Sequence, residues 1–215
     1  MLITYHGHSE FLIKTDAGPR ILTDPYSPQM TGYPERELSA DIVCVSHAHE
    51  DHAWLQKVKG NPVVLTDQGV HTPAEGIVIR SIPAFHDDAQ GQKRGQTLLT
   101  RIEADGLVFA HLGDIGCPLT QEQTNFLRGV DILMIPVGGF FTIDSVQAKE
   151  MCSSLAPHIV IPMHYNTKQG GFPQIQDVIP FLNAMAPVKP VHMPLVRVTK
   201  GDLSEQPRLI VLDVR

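Results

Sequence analysis

Cysteine is scarce in this chain, with three in 215 residues, and Cys44, Cys117 and Cys152 stand far apart with no CxxC spacing. An odd, scattered set argues against both a disulfide framework and a thiolate zinc site. Basic runs are equally short: none exceeds the Lys93-Arg94 pair, and 17 Lys and Arg are outnumbered by 23 Asp and Glu, for a formal net charge of -6. Nucleic acids are held by basic surface that neutralises their phosphates, so a small-molecule substrate is expected and nucleic acid is not. A local pocket for one phosphate stays open. No apolar run approaches the roughly 18 residues of a membrane span. The opening MLITYHGHSE has neither the cationic start nor the apolar core of a secretory leader. The expectation is a cytoplasmic protein with no membrane partner; the sequence carries no mark of oligomeric state.

What is present is an ordinary globular composition, 42% hydrophobic and 19% charged, with 17 Gly and 17 Pro that supply many turns. One domain over residues 1–215 is expected, because single domains commonly hold roughly 100–200 residues and reach about 250. Apolar runs of strand length recur at Leu2–Tyr5, Phe11–Ile13, Ile21–Thr23, Ile42–Val45, Val63–Leu65, Ile77–Ile82, Leu98–Ile102, Leu107–Ala110, Ile132–Val137 and Ile159–Met163. Hairpin chemistry separates some of them, at Asp16-Ala17-Gly18-Pro19 and Ala104-Asp105-Gly106. Thr120 with Gln123, and Asp144 with Gln147, have capping-box spacing and start helices running to about Arg128 and to before Pro157. Pro173–Met185 is a third helical candidate, and Trp54–Val58 has a helix-like pattern. Meandering strands followed by strand–helix alternation predict a layered α/β protein with mixed sheets.

The chemistry concentrates in His47-Ala48-His49-Glu50-Asp51-His52, which follows the apolar run ending at Val45. Neutral imidazole and carboxylate are the usual non-thiolate donors for divalent transition metals, and this density fits ligands shared between two ions. His86, Asp114 and His164 each close a later apolar run. Sites in layered α/β proteins gather where several strands end on one edge, so these three are candidate further ligands. A lone histidine such as His86 would ordinarily read as a surface or core residue; its place in the ordered set is what distinguishes it.

In that order, Thr23-Asp24-Pro25, His47–His52, His86, Gly113-Asp114 and His164, the chain resembles the metallo-β-lactamase superfamily. Gly7-His8-Ser9, Gly138–Ile143 and Ile161–Tyr165 are similar to its small bacterial and archaeal branch of L-ascorbate-6-phosphate lactonase-like proteins. The resemblance implies a four-layer αββα sandwich with two mixed sheets. It also implies one divalent ion on His47, His49 and His86, a second on Asp51, His52 and His164, and Asp114 bridging them. Asp24 would orient a ligand imidazole. Zinc or manganese is expected, and iron is compatible with the same donors.

The implied activity is hydrolysis by a metal-bridging hydroxide, with Asp51 guiding its proton, on a small ester or lactone that could carry a phosphate. A phosphodiesterase is the alternative. A di-iron redox protein or a non-catalytic metal-binding module represents other classes. The redox relatives have Glu where His49 stands and add a flavodoxin-like domain. His8, Tyr165, Asn166 and Lys168 are candidate substrate contacts. His6, His71, His111, His158 and His192 have no motif support and read as structural or exposed, and Asp87 and Asp88 read as exposed.

Overall fold

Turn chemistry sets the strand boundaries. Asp105 and Gly106, both at positive φ (53° and 72°), make a two-residue reversal; the Asp16–Pro19 turn closes with Thr15 N–H donating to Pro19 O. The computed structural model describes residues 1–204 and 206–215. Its first strands are β1 (Leu2–Gly7), β2 (Glu10–Lys14), β3 (Arg20–Thr23), β4 (Leu38–Ser39), β5 (Ile42–Cys44), β6 (Val58–Lys59), β7 (Val63–Leu65) and β8 (Gly69–Ala74). There follow β9 (Ile77–Phe85), β10 (Gln96–Ala104), β11 (Leu107–His111), β12 (Ile132–Pro136), β13 (Ile159–Met163), β14 (Pro190–Met193), β15 (Val196–Arg197) and β16 (Arg208–Leu212). The α-helices are α1 (Pro28–Thr31), α2 (Gln121–Leu127), α3 (Ser145–Leu155) and α4 (Ile179–Ala184).

Two mixed sheets form: one of six strands in the order β15-β1-β2-β3-β5-β7, and one of eight in the order β14-β16-β13-β12-β11-β10-β9-β8. Side-chain alternation sorts the smaller sheet. Ile3, Tyr5, Phe11, Ile13, Ile21, Ile42 and Cys44 join the main core shared with the larger sheet, while Leu22, Val43 and Val45 turn outward. That outward face is covered by Leu38, Ala40, Ala53 and Val58 rather than by a long helix. On the larger sheet β12 and β13 are buried at every residue, as parallel strands with both faces covered must be. α3 packs on β12 and against α2 and α4.

Both expected capping boxes form, with Thr120 heading α2 and Asp144 heading α3. The Pro173–Met185 helix is cut to Ile179–Ala184, because Gln176 N–H donates to Gly138 O and Gln176 O accepts from Asn166 N–H, fastening the upstream stretch as a loop. The helical pattern at Trp54–Val58 shrinks to a 3-10 turn over Leu55–Lys57. Among the described residues no helix is long and apolar enough to cross a membrane.

Candidate metal centre

Strand direction brings the candidate ligands together. β1 and β3 each pair antiparallel with β2, and β3 pairs parallel with β5, so the ends of β1, β3 and β5 lie on one edge. These ends carry His8, Asp24 and the Ser46–His52 segment. In the other sheet β9 and β11 each run antiparallel to β10, and β11, β12 and β13 are parallel, so their ends also share an edge. Those ends carry His86, Asp114, Gly138 and His164. The two edges are laced at the site: His164 N–H donates to His8 O (2.7 Å), Leu98 N–H to Ser46 O (2.9 Å) and the His111 ring bonds Ser9 O (2.9 Å). Three non-glycine residues of these ends, His8, Asp24 and His164, have positive φ (55°, 40° and 52°). Such strained backbone is retained where packing and hydrogen bonds over-determine it, and it clusters at functional sites.

The donor atoms fall into three overlapping groups: His47, His49 and His86; His8, Asp51, His52 and His164; and His47, His52 and Asp114. Within each, the ligand atoms lie within 4.8 Å of one another. Asp114 Oδ2 is central, 3.1 Å from His164 Nε2, 3.2 Å from His52 Nε2 and 3.4 Å from His86 Nε2. His8 Nε2 lies 3.1 Å from Asp51 Oδ2 and 3.2 Å from His52 Nε2. The structure thus brings all seven sequence-derived ligand candidates together and adds His8, which the sequence suggested only as a substrate contact.

The residues fit divalent cations. His47 Nε2, Asp114 Oδ1 and both ring nitrogens of His164 are buried without a hydrogen-bond partner, an arrangement costly unless a cation or donor meets them. The field points the same way. Burial alone would raise the Asp114 carboxyl, yet the imidazoles of His164 and His52 hold it well below the usual carboxylate range. Burial alone would lower His52, yet Asp114 and Asp24 raise it well above an ordinary imidazole. Positive charge is therefore favoured where the donors converge. Burial drives His47 down to about 3, leaving a neutral ring able to donate a lone pair.

Asp24 anchors the centre from behind, accepting hydrogen bonds from Ser46 N–H and Ser46 Oγ (each 2.7 Å) and pairing with His52 Nδ1 at 2.8 Å. The last contact fixes the tautomer that turns Nε2 of His52 toward the other donors. Ser46 Oγ also lies 2.9 Å from His47 Nδ1, so one hydroxyl serves two candidate ligands. Nothing in the sequence marks Ser46 beyond its place before the motif. Asp24→Asn, which keeps the shape but loses the charge, is expected to weaken metal affinity by about 10- to 100-fold. Competition with a chelating indicator measures this; wild-type affinity in the variant would remove Asp24 from the role.

Other expectations require correction. Tyr165, Asn166 and Lys168 line a separate cavity of about 740 Å³ near Val211–Val214. The cavity at the ligands is another, of about 580 Å³, reached by His49, Asp51, His86 and Asp114 and walled by Met30, Phe141 and Phe172. Tyr165 itself turns into the core, 5% exposed, with its ring 6.1 Å from that of Tyr5. Asp87 is buried rather than exposed, because it accepts four backbone N–H groups of the following loop. Asp88 is exposed as expected and pairs with Lys93. His111 is a buried strut outside the three donor groups. Of the cavity walls, Phe141 lies in the Gly138–Ile143 segment that carries the resemblance, whereas Met30, Phe172 and Arg94 come from separated segments with no local signature.

Comparison with known proteins gives this geometry a family. The beta-lactamase superfamily domain matches residues 2–164, a span that encloses every candidate ligand. The chain belongs to the metallo-β-lactamase superfamily. It is 32% identical to a metal-dependent hydrolase of Thermococcus onnurineus, over 77% of this chain and 84% of the relative. A Pyrococcus abyssi metal-dependent hydrolase is 31% identical over the same shares. Among solved structures, a Thermotoga maritima protein described as a candidate Zn-dependent hydrolase of the superfamily matches with a TM-score of 0.79. It is 31% identical, and the match covers 98% of this chain and 97% of that one. The protein is accordingly a metal-dependent hydrolase with the α/β fold of two mixed sheets of that superfamily.

Proposed function

We propose that this single-domain protein is a dinuclear hydrolase of small-molecule esters or lactones. The observation that carries the reading is the overlap of donor groups at His47 and His52, with Asp114 Oδ2 within 3.1 to 3.4 Å of His164, His52 and His86, beside a largely apolar cavity of about 580 Å³. His47, His49 and His86 would hold one ion, Asp51, His52 and His164 the other with His8 as an additional donor, and Asp114 would serve both. Zinc, manganese and iron all suit a thiolate-free His/Asp set. Bound divalent ions lower the pKa of water and polarise the oxygen under attack. Asp51, held by His8, orients the attacking water and accepts its proton at a carboxylate oxygen. Met30, Phe141 and Phe172 receive the apolar body of the substrate, where burial removes apolar surface from water. An alcohol leaving group needs less protonation than an amine, which favours ester or lactone over lactam.

The test loads the protein with zinc or manganese and compares small lactones and carboxylic esters with bis(p-nitrophenyl) phosphate and oligonucleotides. Higher kcat/KM on the lactones or esters is expected, lost in Asp51→Asn and on chelation, with about two ions per chain by elemental analysis. A phosphodiester as the better substrate would make the protein a phosphodiesterase. No more than one ion after metal-replete expression would overturn the dinuclear assignment.

A further inference from the structure

The loop after His86 is wound around one buried carboxylate and leaves one cation uncommitted. Asp87 Oδ1 accepts the N–H groups of Ala89 and Gly91 (2.8 and 2.9 Å), and Oδ2 those of Lys93 and Arg94 (3.0 and 2.8 Å). Both carboxylate oxygens are thereby occupied by loop N–H groups, two on each. His86 N–H donates to Gly95 O and Gly95 N–H to Gly91 O, closing the loop onto the ligand strand. Arg94 therefore has its backbone fixed next to the metal centre.

Its side chain faces the same cavity as His49, Asp51, His86 and Asp114. Among the described residues the guanidinium forms no ion pair and no side-chain hydrogen bond; it lies over the Phe141 ring, 5.4 Å from the centroid. The acids that share its other side are each engaged: Asp87 by the loop N–H groups, Asp88 by Lys93, and Asp144 by the N–H groups of Val146 and Gln147. A planar five-donor cation against apolar walls binds carboxylate or phosphate in a two-pronged fashion, and a partly desolvated setting strengthens the contact. The aromatic ring and fixed backbone reduce the entropy lost on binding. Glu50, the other charged wall residue outside the candidate ligands, repels an anion, which confines the anion to the Arg94 side.

We infer that Arg94 selects substrates bearing an anionic group, carboxylate or phosphate, separated by an apolar body from the bond that is cleaved. This rests on the ester or lactone hydrolase reading and names the substrate class for it. The experiment uses three p-nitrophenyl esters: the glutarate half-ester with its free carboxylate, the same compound capped as a methyl ester, and the 4-phosphonobutyrate ester. The metal-loaded wild type is expected to favour the charged esters over the capped one by about tenfold or more in kcat/KM, mainly through KM. In Arg94→Ala that ratio collapses toward one, in Arg94→Lys part of it survives, and in Arg94→Glu it inverts. Whichever charged ester is preferred identifies the anion.

A calorimetric titration with 4-phenylbutyrate and its amide reads recognition without turnover: affinity for the acid should fall about tenfold in Arg94→Ala, and affinity for the amide should not follow it. An Arg94-independent ratio and an Arg94-independent titration would overturn the inference even if esters are cleaved. Absence of cleavage of all three esters, with the titration still dependent on Arg94, would instead overturn the ester or lactone reading and leave the anion site standing.

Discussion

Asp114→Ala is expected to abolish hydrolysis and to deplete both metal positions. Its Oδ2 stands 3.1 to 3.4 Å from ring nitrogens of His164, His52 and His86, so it touches members of both candidate ion sites. Removing it leaves the converging imidazoles without their central anion, and it removes the strongest reason for positive charge to collect there. The loss of affinity should exceed the roughly 10- to 100-fold seen when an outer partner of a metal ligand is removed. His111→Ala is the control. His111 Nδ1 accepts the Gly113 N–H and its Nε2 donates to Ser9 O, so it braces the strand end without belonging to a donor group. That variant should lose about 1–3 kcal/mol of stability through unsatisfied polar groups and retain near-normal metal content. Elemental analysis of both proteins decides, and equal metal loss would show that Asp114 is not the residue serving both ions.

The second large effect is expected from Gly113→Ala. Gly113 has φ 50°, and an added Cβ would lie 2.3 Å from Thr97 Oγ1, 2.8 Å from Ser46 Cβ and 2.9 Å from Leu98 O. Each of those atoms belongs to a residue that supports the centre. Thr97 Oγ1 receives the Asp114 N–H, Ser46 holds Asp24, and Leu98 joins the two sheets through Ser46 O. Overpacking combined with left-handed backbone strain should cost about 3 kcal/mol or more, lowering the melting temperature by about 6–12 °C. Thermal melts with excess metal measure it. A variant melting within about 2 °C of wild type would show that the strand end can absorb a methyl group.

Legibility of the fold and site followed the range of the interactions involved. The caps at Thr120 and Asp144 were readable because donor and acceptor are three residues apart. That the His47–His52 motif, His86, Asp114 and His164 come together could be expected because each follows an apolar run, and strand ends fix side chains with little sequence context. β8 was missed because Gly69–Ala74 includes Gly and Pro and is largely exposed, so burial imposes no alternation on it. β16 is apolar and buried, but its place between β13 and β14 is set by parallel pairings remote in sequence. Asp87 looked like a solvated acid since nothing in its neighbours' identities announces a backbone cradle; the ring of N–H groups exists only in three dimensions. The stretch after Pro173 lost its expected helix to hydrogen bonds with Gly138 and Asn166, a tertiary override of local pattern.

The convergence of two sheet edges on one set of donors makes the metal centre part of the seam between halves of the molecule. His8 and the His47–His52 segment belong to the six-stranded side, and His86, Asp114 and His164 to the eight-stranded side. Ions bound across that seam act as a ligand of the native state alone, worth about 4 kcal/mol when free metal is 1,000 times the dissociation constant. With the proposed ligand set, metal supply and protein lifetime would be coupled. Under scarcity the molecule would lose a clasp between its two halves together with its chemistry, so depletion would reduce the amount of folded protein as well as the turnover of each copy.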